Sequence, residues 1–190
     1  MNLMKNPMDA RIQQLQTLVK ESSDLHINTT LLGYSGVVEY YPEELVMTVK
    51  AGTPIAQIKK QLEKNNQSLP FYTDDDSVSI GAVYANGGQD ISDSVLGVQI
   101  IDGTGELLNF GGQVMKNVAG YDVSRLLVGS KGQLAMVTQI SFKVMPDVYV
   151  GKLNTSVKLE NESVLRTEIE QKLKQVFDPK GVFNSANTKF

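Results

Sequence analysis

The spacing of apolar residues predicts three helices, one near each end of the chain and one between them. The first follows Asn6-Pro7, a pair that suits an N-cap and the first helical position, and its apolar residues recur until about residue 21. A second is predicted over residues 55–62 and a third over residues 165–176. The third stops before Asp178-Pro179, because the residue before a proline disfavours helix.

Runs rich in β-branched and aromatic residues predict five strands, over residues 37–40, 45–49, 95–101, 106–110 and 134–144. The last has the longest alternation of apolar and polar positions, and Pro146 ends it. Residues 25–32 give a weaker strand signal, and one further strand is predicted over residues 149–157. Asp122 is predicted to cap a short helix that ends at Gly129. This order of elements predicts an α+β fold.

Composition and charge exclude several kinds of chemistry. The 190 residues contain no cysteine and one histidine, which excludes disulfides, thiolate metal sites, a cysteine nucleophile and a histidine-rich metal site. A net charge of −3 with dispersed lysines argues against a nucleic-acid surface. No apolar run approaches the roughly 18 residues that cross a bilayer, and the N-terminus lacks the apolar core of a signal peptide. The composition favours a cytosolic domain whose chemistry comes from a bound cofactor or a partner.

Two polar features have an ordinary structural explanation beside a functional one. The acidic run from Asp74 to Asp76 offers oxygens to a hard cation, but it lacks the later glycine and glutamate of a calcium loop, so a solvated turn is favoured. His26 stands alone in a polar segment, which favours a structural or surface residue over a catalytic one.

Three glycine-rich segments are better candidates for a binding site. They are SIGAVYANGG (79–88), FGGQVMKNVAGYD (110–122) and VGSKGQL (128–134). Each alone is explained by turns and close packing, but together they offer backbone N–H groups that can cradle a phosphate or a ring carbonyl. Lys116 adds a positive charge, although a solvent-facing lysine explains it equally well. Neither a Rossmann nor a P-loop glycine motif occurs.

The run FGGQVMKNVAGYDVSRLLVGSKGQL, followed by MVTQISFKVMP, resembles the FAD-binding subunits of bacterial glycolate oxidases, within the flavin family typified by vanillyl-alcohol oxidase. The resemblance extends upstream through SGVVEYYPEELVMTVKAGTPIAQIKKQLEKNNQSLP and VLGVQIIDGTGELL, and it resumes at LKQVFDPKGVFN. It covers most of residues 35–146 and 164–184. It implies a fold of two small α+β subdomains that hold an extended FAD between them, with the first subdomain truncated.

The resemblance also implies which residues contact the cofactor. Ser79-Ile80-Gly81 matches the family's Thr-x-Gly-Gly segment, with Ala82 in place of the second glycine. The run from Lys131 to Val137 matches the segment whose backbone reaches the flavin, with Ala135 in place of a glycine. The cofactor-binding residues implied in this way are Ser79, Ile80, Gly81, Ala85, Asn86, Lys116, Asn117, Gly120, Tyr121, Lys131, Gly132, Leu134, Ala135 and Val137. No catalytic residue and no metal ligand is identified.

Three departures from the family bear on function. The glycine-rich turn that follows the family's first helix is absent, Ser92 stands where the family has an arginine, and residues 147–162 occupy the place of a whole substrate-side domain. The first departure removes N–H donors for the pyrophosphate, each worth roughly 1.5–3 kcal/mol when the hydrogen bond is to a charge. The third removes the residues that would activate a substrate.

Two functions stay open on this evidence. The resemblance implies the FAD-binding subunit of a glycolate oxidase-like oxidoreductase that acts on 2-hydroxy acids and is not competent alone. Its partners would be a larger catalytic flavoprotein subunit and an iron–sulfur subunit, in the cytoplasm or at the membrane through that complex. The alternative is a non-catalytic scaffold subunit that has lost FAD. In either case residues 1–146 are predicted to form the FAD-binding-type domain, divided near residue 70, and residues 147–190 a short strand, the last helix and a tail.

Overall fold

The computed structural model describes residues 7–112, 122–149 and 164–183. Within these ranges the helices are α1 (Pro7–Glu21), α2 (Ile27–Thr30), α3 (Ile55–Glu63), α4 (Ile80–Asn86), α5 (Gln89–Ser94), α6 (Val123–Leu126) and α7 (Val164–Phe177). The strands are β1 (Val37–Tyr41), β2 (Val46–Lys50), β3 (Gln67–Ser68), β4 (Val95–Ile101), β5 (Leu107–Gly111), β6 (Met136–Lys143) and β7 (Met145–Pro146). The predicted α+β class is therefore confirmed.

Five of the strands form one antiparallel sheet in the order β1-β2-β6-β4-β5. The long strand β6 lies at its centre, and its buried and half-buried residues alternate as the sequence pattern predicts. Thr138 interrupts the apolar parity of β6 and is nevertheless fully buried. Its hydroxyl donates to the backbone carbonyl and to the side chain of Gln99, so the buried oxygen is satisfied.

Two apolar clusters hold the helices to the sheet. The larger combines α3 and α4 with the sheet and the end of α7, and it includes Ile58, Tyr84 and Phe142. The smaller packs Leu15 and Val19 of α1 against the sheet and the segment that follows α7. The terminal helices therefore dock on the sheet through separate clusters, as their amphipathic patterns require.

The structure corrects three predictions about local elements and adds one helix that had not been predicted. Residues 25–32, which read as a weak strand, contain the helical turn α2. The small-residue segment after the acidic run forms helix α4, which the sequence reading did not predict. The helix capped by Asp122 ends at Leu126 instead of Gly129. The strand predicted from residue 149 begins inside a 3₁₀ turn (Asp147–Tyr149), and the rest of it lies outside the described residues.

The pairing of β2 with β6 crosses the predicted subdomain boundary near residue 70. Their register places Val49 opposite Ile140, so residues from both sides of that boundary share one sheet. The division into two subdomains and a C-terminal unit stays a prediction.

Candidate functional site

A cleft of about 490 Å³ opens between α4, the turn before β6 and the segment that contains α2. This volume is within the range of small-molecule sites. Most of the lining residues are small or apolar. They are Leu25, His26, Ile27, Leu31, Leu32, Gly33, Ala51, Gly52, Pro54, Ser77, Ser79, Gly81, Ala82, Tyr84, Ala85, Asn86, Ser130, Lys131, Gly132, Ala135 and Val137.

Two of the three glycine-rich segments meet at one wall of this cleft. The Lys131 amide donates to the Ala85 carbonyl at 2.8 Å, and the Gly129 amide donates to the Tyr84 carbonyl at 3.1 Å. These bonds fix the turn before β6 against α4. Residues 113–121 of the remaining segment lie outside the described residues.

The wall contributed by residues 130–133 is a tight turn of left-handed residues. Lys131 and Gly132 have φ values of +55° and +71°, and the Gln133 amide closes the turn on the Ser130 carbonyl at 3.0 Å. Two consecutive positive φ values are typical of a type I′ turn, which favours glycine at its second centre. Within the described parts of the chain, the Gly132 amide has no hydrogen-bond acceptor. This N–H group is therefore not used by the described parts of the fold.

Several other amides of the glycine-rich segments are used within the fold, although the small side chains had suggested that they would be free. The Gly81 amide donates to the Ala51 carbonyl at 2.8 Å, and a Cβ on Gly81 would approach that oxygen to 2.8 Å. The Gly112 amide donates to the Leu96 carbonyl at 3.1 Å. The small side chains at these positions mainly allow elements to pack closely.

The structure brings many of the predicted cofactor residues to the cleft. Those that line it are Ser79, Gly81, Ala85, Asn86, Lys131, Gly132, Ala135 and Val137. The side chains of Ile80 and Leu134 are buried in the larger apolar cluster. Lys116, Asn117, Gly120 and Tyr121 lie outside the described residues. The role of all these residues in cofactor binding stays a prediction.

Sequence reasoning missed the wall opposite this turn. Residues 25–33 reach the cleft through a segment with no recognisable motif, and His26, expected at a structural or surface position, lines it. A Cβ on Gly132 would lie 3.3 Å from Ile27 Cδ1, so the two walls nearly touch at this point. Gly52 was missed as well. A Cβ there would come within 2.7 Å of the Leu31 carbonyl, which ties the end of β2 to this wall.

Tyr84 holds the α4 wall of the cleft to the fold beneath it. Its side chain is buried, and its hydroxyl donates to the Ser124 carbonyl on α6. Burial raises the pKa of Tyr84 far above its ordinary value, and the negative charge of Asp122 raises it further. One side chain therefore links α4 to α6, while its backbone carbonyl holds Gly129.

This burial predicts a loss of stability in alkaline solution. The pKa of Tyr84 is raised in the folded state, so its contribution is complete below the unfolded pKa of about 10 and is lost as the pH rises above that value. We expect the free energy of unfolding to fall between about pH 10 and pH 11.5, as measured by urea titration at each pH.

Tyr84→Phe is the control for this prediction. It should be less stable at pH 8, because the Ser124 carbonyl loses its donor, but its stability should fall less steeply above pH 10. An identical slope in the two proteins would show that Tyr84 does not carry the effect.

The acidic run forms a hydrogen-bonded turn. Asp75 accepts from the amide and hydroxyl of Ser77, and Asp76 pairs with Lys59 at 2.6 Å. These hydrogen bonds, with that of Thr73 to Asp76, lower the pKa of both carboxyl groups.

Among the described residues, no group of three or more His, Asp or Glu side chains could hold a metal ion. In the same ranges, no helix combines the length and apolar character that a membrane span requires.

Comparison with known proteins identifies relatives for part of the chain. Residues 14–111 match a family described as "FAD binding domain". Glycolate oxidase subunit GlcE of Escherichia coli is 45% identical over 123 residues, which are 60% of this chain and 35% of that protein. Glycolate oxidase subunit GlcD of Bacillus subtilis is 29% identical over 121 residues, 58% of this chain and 25% of that protein. The chain therefore spans about a third or less of these relatives.

A solved structure of alkyldihydroxyacetonephosphate synthase has a similar fold. It superposes with a TM-score of 0.50 at 22% sequence identity, over 60% of this chain and 21% of the other. At this identity the likeness concerns the fold alone.

Proposed function

Because this chain belongs to the FAD binding domain family, we propose that it is the FAD-binding part of a glycolate oxidase-like oxidoreductase that acts on a 2-hydroxy acid. The family match confirms the predicted cofactor class and the fold of the vanillyl-alcohol oxidase type. The observation that carries the proposal is the cleft between α4 and the 130–133 turn. It coincides with segments in which the sequence resembles the FAD-binding subunits.

The residues of the cleft fit FAD in shape and charge. Glycine and alanine side chains leave the main chain accessible to a flat or extended group, and the Gly132 amide remains as a donor. Lys131 is exposed at the rim, where its ammonium group favours an anionic cofactor. Ser79, Gly81, Ala85 and the 131–137 segment would hold the cofactor. Bound FAD supplies a two-electron acceptor for the oxidation of the hydroxyl-bearing carbon.

The activation of the substrate is assigned to other parts of the complex. No Asp or Glu lines the cleft within the described residues, so this wall contributes no carboxylate base. GlcE and GlcD are named as subunits of glycolate oxidase. These names support an assembly with other subunits, and we propose that the partners are a larger catalytic flavoprotein subunit and an iron–sulfur subunit. The proposed location is the cytoplasm, with any membrane association made through the complex.

A scaffold subunit without FAD is the second candidate. It is favoured by the use of the Gly81, Gly112 and Lys131 amides inside the fold, since these donors are no longer available to a pyrophosphate. The two candidates differ in one measurement, which is the titration of the purified chain with FAD. Quenching of flavin fluorescence and a bound-flavin spectrum support the first. Their absence, with co-purification of a larger flavoprotein, supports the scaffold.

A substitution in the turn tests where FAD binds. Gly132→Val is expected to raise the Kd for FAD more than tenfold, because the new side chain narrows the cleft toward Ile27. It should also cost about 1–3 kcal/mol of stability, because Gly132 has a φ of +71° that valine disfavours. Fluorescence quenching gives the Kd, and urea unfolding gives the stability.

Gly181→Val is the matched control. Gly181 has a similar φ of +66°, lies in open space and is absent from the cleft lining. The control should lose comparable stability, but its Kd for FAD should rise much less than that of Gly132→Val. Equal FAD affinities in the two variants would place the cofactor elsewhere.

A further inference from the structure

The ammonium group of Lys174 joins α7 to the turn that borders the cleft. Its Nζ donates to the Gln133 carbonyl at 2.8 Å, to the Phe183 carbonyl at 2.7 Å and to Asp178 Oδ2 at 2.7 Å. A lysine has three N–H donors, so all three are used. One side chain therefore connects the end of α7, the segment after it and the 130–133 turn.

The α7 side of this connection is firmly held. The Asp178 side chain is fully buried, and it accepts hydrogen bonds from the Val182 amide at 2.8 Å and the Phe183 amide at 2.9 Å. The Gly103 amide donates to the Phe177 carbonyl at 2.7 Å. Gly103 packs so closely that an added Cβ would overlap the Asp178 carboxylate. The position of Lys174 is thus determined by the sheet as well as by its own helix.

The other side of the connection is the 130–133 turn of the cleft wall. Gln133 directly follows Gly132, whose amide has no acceptor within the described residues. The turn is held to α4 by the Lys131–Ala85 hydrogen bond and closed by the Gln133–Ser130 hydrogen bond. The Lys174–Gln133 contact adds a side-chain hydrogen bond to the turn. It fixes the peptide plane between Gln133 and Leu134 and hence the direction in which the turn leaves the cleft.

We propose that Lys174 is a positioning residue for the cofactor site. It holds the 130–133 turn in the geometry in which Lys131 and Gly132 border the cleft, and it makes cofactor affinity depend on the docking of the C-terminal helix. The part of this inference that concerns affinity rests on the proposed binding of FAD. The part that concerns the geometry of the turn does not.

The test uses the 190-residue chain with Lys174→Met, and Lys172→Met as the matched control, since Lys172 is an exposed lysine of the same helix. We expect Lys174→Met to raise the Kd for FAD about tenfold and to speed hydrogen exchange at the Lys131 and Gln133 amides. Exchange in the centre of β4 and β6 should not change. Lys172→Met should alter neither quantity.

Two further variants keep the test decisive if Lys174→Met folds poorly. Lys174→Arg keeps a charge beside Asp178 but presents a planar fork in place of three N–H groups on one nitrogen, so we expect an intermediate effect. Lys174→Met with Asp178→Asn removes the buried charge that the single variant leaves unpaired. In a folded variant, exchange that rises equally throughout the sheet would indicate a general loss of stability and would overturn the proposal.

The outcomes also separate this inference from the proposed function. If the unmodified chain does not bind FAD, the proposed function fails, and exchange at the 130–133 turn still decides the role of Lys174. Faster exchange confined to that turn in the Lys174 variants supports positioning. Unchanged exchange there, or an unchanged Kd in a chain that binds FAD, overturns it.

Discussion

Replacing Tyr84 with alanine is expected to lower the free energy of unfolding by about 3–5 kcal/mol, the range for truncation of a fully buried aromatic side chain. Tyr84 is 1% exposed and belongs to the larger apolar cluster. Its removal leaves a cavity under α4 and deprives the Ser124 carbonyl of its donor. The fall in urea midpoint, with circular dichroism to confirm folding at low urea, measures this effect.

The same substitution should also change the shape of the cleft. The Tyr84 backbone carbonyl holds the Gly129 amide, so a shift of α4 moves the turn before β6. Tyr72→Ala is the control, since Tyr72 is 54% exposed and is expected to cost less than about 1 kcal/mol. Equal losses in the two variants would mean that Tyr84 does not support this wall.

Replacing Asp178 with alanine is expected to cost a similar amount, about 3–5 kcal/mol, for an electrostatic reason. The variant removes the fully buried carboxylate of a half-buried ion pair and leaves the Lys174 ammonium without its counter-charge. It also removes the acceptor of the Val182 and Phe183 amides, which lie in a buried turn. The segment after α7 should detach from α1, and thermal unfolding should shift to a lower temperature.

Asp74→Ala provides the comparison for this effect. Asp74 is an exposed carboxylate in the acidic turn, and its loss should change stability by less than about 0.5 kcal/mol. Asp178→Asn should fall between the two, because an amide oxygen still accepts hydrogen bonds while the charge is lost. Stability in Asp178→Ala close to that of the unmodified chain would show that the turn does not depend on this pair.

The sequence predicted the elements whose periodicity is long and whose burial is one-sided. The hairpin of β1 and β2, the central strand β6 and both terminal helices follow directly from alternation or helical spacing. Helix α4 was not predicted because the small residues Gly81, Ala82 and Ala85 give it a weak amphipathic pattern. Its signals were the cap residue Ser79, whose hydroxyl accepts from the Ala82 amide, and the buried pair Ile80 and Tyr84.

Residues 25–32 were misread because tertiary contacts decide their conformation. Leu25 and Leu31 are both buried in the cluster around α1, and the Leu25 amide donates to the carbonyl of Val182, far along the chain. A helical turn between these anchors is set by that packing and not by local propensity. No pattern within the segment itself carries this information.

The candidate site was predicted only in part, because contacts between distant parts of the chain also decide which segments border it. Small residues mark two of its segments, and the resemblance to flavoproteins brings them together. The wall from Leu25 to Gly33 and the contact of Lys174 with Gln133 depend on distant parts of the chain, which spacing cannot reveal. The expectation of free amides fails at several positions because a small side chain permits approach by any group. At Gly81 the group is the carbonyl of Ala51.

The packing of Gly81 shows that a residue of the cleft can be constrained by folding and not by ligand binding. A lineage that ceased to use flavin would still retain this glycine, since folding alone penalises any larger residue beside Ala51. Lys131 and Asn86 are exposed at the cleft, and folding constrains their side chains much less. Identity among orthologues at Gly81 therefore informs on inheritance of the fold, whereas identity at Lys131 and Asn86 would support the ligand-binding role proposed for them.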